Sequence, residues 1–439
     1  MRNRLLLIGL TIAAWAALRI IEIVLPWPAL MFLLCVTLFI MITHSIWLCH
    51  AQFKWRRRQA IAAETPATID DQSESWQPWV DIFIAAKNES RVIEGTVRNF
   101  FKLDYENFYL WIIDDMSDDS MPQVLQKLKA EFPRLKVVTR IPGSRPGKSA
   151  ALNEALPLAK GEVVAVFDAD AYVQPDFLQQ ILPVLHPEGV GAVQAQKRIY
   201  EHQKGFLPDC QASEYATDTY FQMGRDLIRG AVELRGNGEL MKREALIDVG
   251  GWNNLSITDD LDLSTRLLVA NWNVRFCPHA HVFEEAVTTL KGLIRQRRRW
   301  AEGSIRRYLD YILPLNSPNR LSFVERIDTL AFVSYFAIPA LMTLETISET
   351  ISFMTGQEIH ARFMLMVAAA VLVISLLNFF IAIRIYRDKT LPEAIIHTFE
   401  VNFYVFAHWV PCVVLSFVQI LSGRQASKWH RTEHAGQNS

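Results

Sequence analysis

Hydrophobic and polar positions divide this chain into two apolar ends and a middle that alternates. Leu5 to Leu25 and Trp27 to Cys49 are long apolar runs at the N-terminal end. Three more, about Leu330 to Ile347, Phe363 to Ile383 and Phe399 to Leu421, fill the C-terminal third. Each comes near the roughly 20 residues that a helix needs to cross a bilayer. Between these groups, from about Gln77 to Pro314, strand-length apolar runs alternate with stretches of helical spacing. VDIFIAA (80–86), FYLWIIDD, KVVTRI, EVVAVFDAD and VGAVQAQ read as strands; RVIEGTVRNFF, MPQVLQKLKAEF and GKSAALNEALPLA read as intervening helices. That alternation predicts an α/β layer with a mostly parallel sheet, flanked by transmembrane helices.

Charge orients the apolar ends. Arg2 and Arg4 precede the first run, and Lys54-Trp55-Arg56-Arg57-Arg58 follows the second. Both ends of a helical hairpin are then cytoplasmic, with the Pro26-Trp27-Pro28 turn outside. A cleaved signal peptide is the alternative, but no small-residue cleavage site precedes Trp27 and a second run follows at once. Arg320, Arg326, Arg384, Arg387 and Lys389 agree with the same orientation. A fifth full span would carry Lys428 and Arg431 outside, so Phe399 to Leu421 is either re-entrant or an exception to the rule. The expected organisation is a hairpin and basic linker (1–58), an α/β domain (77–290), amphipathic interfacial helices (291–318), C-terminal membrane helices (325–422) and a tail (423–439). The chain is expected to be a multi-pass membrane protein with its α/β domain in the cytoplasm.

Composition removes some classes. A formal net charge of -1 argues against a nucleic-acid binder driven by bulk basicity. The five cysteines are scattered, with no CxxC pair, and read as free thiols in a reducing compartment.

Candidate chemistry gathers where ligands bind in such sheets, beyond the carboxyl ends of the strands. The first strand ends in Lys87-Asn88-Glu89-Ser90, the second in Asp114-Asp115, and the fourth in Asp168-Ala169-Asp170. Aspartate favours turns, and Asp114-Asp115 alone reads equally well as one. Together these residues make an acidic pocket, costly unless a cation or a donor-rich ligand fills it. An Asp-x-Asp pair can hold one hard divalent ion and leave positions for phosphate oxygens, which suits Mg2+ without excluding Mn2+. Arg145-Pro146-Gly147-Lys148-Ser149 resembles part of a P-loop but lacks its first glycine, which argues against nucleoside-triphosphate hydrolysis. Lys148, at a helix start, can still hold a diphosphate. Downstream, Thr258-Asp259-Asp260-Leu261-Asp262 crowds three carboxylates into four positions, and Gln296-Arg297-Arg298-Arg299-Trp300 lies in an amphipathic stretch suited to an anionic lipid surface.

Asp114-Asp115, Asp168-Ala169-Asp170, Thr258-Asp259-Asp260 and Gln296-Arg297-Arg298-Arg299-Trp300 resemble, in order and context, the D, DxD, TED and QxxRW motifs of membrane-embedded family 2 glycosyltransferases. That family includes cellulose, hyaluronan and poly-N-acetylglucosamine synthases. Asp259 departs from the usual glutamate, whereas Asp260, at the position of the base, is intact. The resemblance implies a Rossmann-like GT-A fold and an inverting transfer from a UDP-sugar. It places uracil near Asn88, Glu89 and Asp114 or Asp115, and the diphosphate on Mg2+ or Mn2+ held by Asp168 and Asp170. Asp260 would be the base; Lys148, Gln296, Arg299 and Trp300 would lie on the donor, Trp300 also offering a flat surface to a sugar or acceptor. Asp259, Gly236, Asn237 and Gly238 would lie on the acceptor side.

The implied partners are a UDP-sugar, a lipid or glycan acceptor and the membrane. LRGNGELMKREAL (234–246), TDDLDLSTRL (258–267) and RRRWAEGSIRRYLDY (297–311) further resemble cyanobacterial-type monoglucosyldiacylglycerol synthases, which move glucose from UDP-glucose to diacylglycerol. A processive polysaccharide synthase is the first alternative. A non-catalytic nucleotide-sugar-binding membrane protein is another, disfavoured by Asp260, since pure binding needs no base. A transporter would show more charged residues and broken helices at mid-membrane.

Overall fold

The computed structural model describes residues 2–24, 44–58, 76–317, 320–356 and 362–423. Its middle segment contains strands β1 (Val80–Ala86), β2 (Phe108–Asp114), β3 (Leu135–Thr139), β4 (Val163–Phe167), β5 (Tyr172–Val173), β6 (Val190–Ile199), β7 (Glu239–Lys242) and β8 (Asn273–Glu284). They form one sheet in the order β3-β2-β1-β4-β7-β6-β8-β5. The β3-β2-β1-β4 half is parallel throughout, as the alternation predicts. The other half is mixed, because β7 runs antiparallel to both β4 and β6. Four residues beside Gly236 and Gly238 leave β7 too short to announce itself in the sequence.

The strands are apolar on both faces because both faces are covered. Along β1, Ile82 and Ile84 face one core layer, and Phe83 faces the other. The first layer is closed by α3 (Ile93–Phe100), α4 (Met121–Glu131) and α6 (Phe177–Leu185), the second by α5 (Lys148–Ala155), α8 (Arg243–Asp248) and α9 (Asp259–Val269). Preceding these, α1 is Arg2–Val24 and α2 is 44–58; α7 is Phe206–Leu227.

Residues 290–316 form a single helix, α10 (Leu290–Asn316), followed by α11 (Phe323–Met354), α12 (Arg362–Tyr386) and α13 (Leu391–Leu421). Two described helices are long and apolar enough to cross a membrane, Leu365–Tyr386 and Leu391–Leu421. Phe323–Val333 and Phe336–Ile351 make a third candidate bent by 41°. Pro339 explains the bend, since it cannot donate to the carbonyl four residues earlier. The protein is membrane-associated. At the N-terminal end the apolar helix is only Leu5–Ala17, and Arg19 beyond it pairs with Glu349 of α11 at 2.7 Å. Most of the Trp27 to Cys49 run, the Pro26-Trp27-Pro28 turn and the basic tail lie outside the described residues.

α10 departs from the expected lipid-facing amphipath. Two of its arginines turn inward: Arg297 and Arg307 are buried, bonded to Glu214 and Glu233 at 2.7 and 2.8 Å. Part of the basic pattern that reads as a membrane surface is thus satisfied by protein carboxylates. Gly303 brings α10 against the stretch before α9; a Cβ there would run into the Thr258 side chain.

Candidate active site

A cavity of about 1420 Å³ opens beyond the carboxyl ends of the parallel strands. Asp115, Lys148, Asp168, Asp170, Asp259, Asp260, Gln296, Arg299 and Trp300 all line it, so residues spread over almost two hundred positions meet in one chamber. Glu89 and Gly236 line it too.

Asp115 and Asp114 divide their duties. Asp114 is buried and its Oδ1 accepts the Ser117 N–H at 3.0 Å, so it folds the turn. Asp115 faces the cavity while its carboxylate accepts from Arg140 and from the Gly147 N–H, tying β2 to the loop before Lys148. Asn88 adopts a left-handed φ of 59°, and its Oδ1 accepts the Asp118 N–H at 2.8 Å. Its amide therefore shapes the loop beside the cavity rather than lining it.

Lys148 begins α5, where its Nζ reaches Asp168 Oδ1 and the Gly236 carbonyl, each at 2.6 Å. Burial works against its ammonium, but Asp168, Asp259 and Glu239 outweigh that cost and raise its pKa. The Asp168 N–H donates to Asn237 Oδ1 at 3.2 Å, and Asp170 Oδ2 accepts the Glu285 N–H at 3.3 Å. Among the described residues no group of three or more His, Cys, Asp or Glu side chains could hold a metal. Two carboxylates fit an ion that takes the rest of its shell from phosphate and water, not one caged by protein.

Asp259 and Asp260 open α9. The left-handed φ of Gly236, +76°, lets its loop approach Asp260, and a Cβ there would sit 3.2 Å from Asp260 Oδ2. Burial first, then the neighbouring Asp259, raises the Asp260 pKa, the shift wanted in a proton acceptor. Arg299 donates to the Ile257 carbonyl at 3.1 Å; burial lowers its pKa, while Asp260, Asp259 and Asp168 hold it up. Trp300 stands with the Arg297 guanidinium 4.0 Å from its ring centre. Gln296 accepts from Arg297 at 2.6 Å.

Asn237 and Gly238 support the chamber from below. Asn237 bridges the Asp168 N–H to Glu284 Oε2, the latter at 3.0 Å. Gly238 lets its strand pass Val282, which a Cβ would meet at 2.6 Å.

Two groups escaped the sequence reading. Lys197 lies within the last stretch of β6, one residue beyond Gln196, where the apolar pattern of the strand stops. Glu239 follows Gly238 on β7, a strand that was not foreseen; its Oε2 accepts the Gly236 N–H at 3.1 Å. Burial pushes its carboxyl up to about 8, with Asp260 and Asp259 adding and Lys148 opposing. Between about 4.5 and about 8 the folded chain keeps a proton that the unfolded chain has lost. The stability Glu239 contributes is thus full in acid and lost as pH rises through about 8. Thermal unfolding in detergent across this window is expected to show a falling melting temperature, and Glu239→Gln to flatten the fall.

Comparison with known proteins agrees with this geometry. The model of glycosyltransferase-like family 2 matches residues 78–303, and the chain belongs to that family. It is an enzyme of sugar transfer with the GT-A fold. The beta-monoglucosyldiacylglycerol synthase of Trichormus variabilis is 36% identical over 82% of this chain and 77% of its own length. That of a Nostoc species is 45% identical over 58% of this chain and 55% of its own, so this second match spans little more than half of its relative. Poly-beta-1,6-N-acetyl-D-glucosamine synthase of Staphylococcus aureus is 31% identical over 51% of the chain and 54% of its own length. In fold, the chain is similar to the mannosyltransferase PcManGT of Pyrobaculum calidifontis, with a TM-score of 0.53 at 19% identity over 88% of this chain and 98% of that one.

Proposed function

We propose that this chain transfers glucose from UDP-glucose to the free hydroxyl of 1,2-diacylglycerol, with inversion, giving beta-monoglucosyldiacylglycerol. One observation carries the choice of acceptor. The cavity holding Asp168 and Asp260 continues between the membrane helices, where Phe336, Met342, Val371, Ile374 and Phe406 line it. An apolar extension suits acyl chains; a growing glycan would leave its many hydroxyls there unpaired, at a cost. The similarity to the two diacylglycerol glucosyltransferases supports the same acceptor.

In this scheme Asp260 takes the proton of the lipid hydroxyl as its oxygen attacks the anomeric carbon. The bond from that carbon to the UDP oxygen breaks on the opposite face, and UDP leaves with the electron pair. Lys148 and Arg299 stabilise the charge gathering on the diphosphate. Asp168 and Asp170 are the residues that would hold a divalent cation, Mg2+ or Mn2+, which when bound neutralises the diphosphate. Asp168→Ala is expected to weaken metal-dependent UDP binding at least tenfold, measured by calorimetry with and without the cation. The basic residues flanking the apolar ends support a cytoplasmic catalytic domain.

The test is product analysis. Detergent-solubilised protein given radiolabelled UDP-glucose, Mg2+ and diacylglycerol should yield label extractable into chloroform. Label confined to water-soluble material of high molecular weight would replace the lipid acceptor with a polymer.

A further inference from the structure

The cavity contains a cation that the scheme above leaves unused. Lys197, near the end of β6, is nearly buried, and its ammonium lies 3.0 Å from Glu284 Oε2. Among the described residues Glu284 is the one oxygen partner given to that ammonium, which carries three N–H donors. Glu284 is itself fixed, accepting from the Tyr215 hydroxyl and from Asn237. Two aromatic rings flank the ammonium, with centres at 5.0 Å for Tyr215 and 5.9 Å for Trp300. Lys197 lines the cavity and senses both Asp168 and Asp260.

Position decides which ligand it meets. The diphosphate end already has Lys148, bonded to Asp168, and Arg299. Lys197 instead stands beside Tyr215 of α7, the helix packed against α12 and α13. It lines the same cavity as the apolar extension and Asp260, through which the acceptor headgroup must pass. An ammonium with donors to spare, in a partly apolar passage, calls for an uncharged oxygen acceptor from the ligand. In a diacylglycerol the ester carbonyl at the adjacent carbon sits beside the attacking hydroxyl.

We propose that Lys197 determines acceptor specificity, donating a hydrogen bond to an ester carbonyl oxygen of the glycerolipid next to the hydroxyl that Asp260 deprotonates. This rests on the lipid-acceptor reading. A diether analogue of diacylglycerol keeps the hydroxyl and the chains but lacks the carbonyls, so it isolates the bond. Wild-type protein should use the diester with kcat/KM about ten- to a hundredfold above the diether, the range of a hydrogen bond to a charged group. Lys197→Met should bring the diester-to-diether ratio of kcat/KM down to about one. Lys197→Arg should keep part of the preference.

Equal use of both lipids by the wild type would overturn the proposal even if no variant folded. So would a Lys197→Met variant that loses the same factor on both lipids, which marks a general electrostatic or structural role. Label in polymer, with neither lipid glycosylated, would instead remove the lipid reading and Lys197's role with it.

Discussion

Replacing Asp260 with asparagine is expected to cut sugar transfer by about 10² to 10⁴-fold while UDP-glucose still binds. Asparagine keeps the size of the side chain and its place at the start of α9, but it cannot accept the acceptor's proton. Lys148, Asp168 and Asp170, which would face the diphosphate in the proposed scheme, stay as they are. Because burial and Asp259 raise the Asp260 pKa, wild-type activity should also fall on the acid side at a pH above the ordinary aspartate range. Transfer assays over pH, alongside calorimetric titration with UDP-glucose, check both halves. Near-normal turnover by the variant would remove Asp260 from the role of base.

The second large effect is on stability. Glu233 is buried, with Arg307 donating to Oε1 at 2.8 Å and Arg235 to Oε2 at 2.9 Å, while Arg225 lies 3.4 Å from Oε2. The last two arginines also reach Asp218 and Asp328, at 2.8 and 2.7 Å. This network joins α7, the loop before Gly236, α10 and the first turns of α11. Glu233→Ala leaves the buried Arg307 without a carboxylate partner and Arg225 and Arg235 with one each, an expected loss of roughly 3–5 kcal/mol. In a chain of this size that is a melting temperature lower by about 3–5 °C in a detergent thermal-shift assay. Transfer should slow as well, since Arg235 adjoins the Gly236 loop packed on Asp260. An unchanged melting temperature would mean that the arginines find other partners or water.

Much of the catalytic chamber was legible because its residues follow local rules. Lys148, Asp168 and Asp260 sit at strand ends and helix starts, where a polar break in an apolar run shows in the chain itself. The parallel half of the sheet was legible for a related reason: strands covered on both faces are apolar throughout, and helices with one covered face are periodic. Arg297 and Arg307 misled, because a basic stripe has the same sequence signature whether it meets lipid phosphates or buried carboxylates such as Glu214 and Glu233.

By itself, then, the sequence determined the α/β layer, the apolar ends and the acidic residues gathered at one sheet edge, all properties of neighbours in the chain. Only the tertiary structure decided that Asp115 rather than Asp114 faces the cavity, that β7 reverses direction, and that Lys197 and Glu239 stand close to Asp168 and Asp260. It also decided that the chamber runs on between the membrane helices. Those facts depend on side chains far apart in the chain competing for the same space and the same hydrogen-bond partners, and no local pattern records the outcome of that competition.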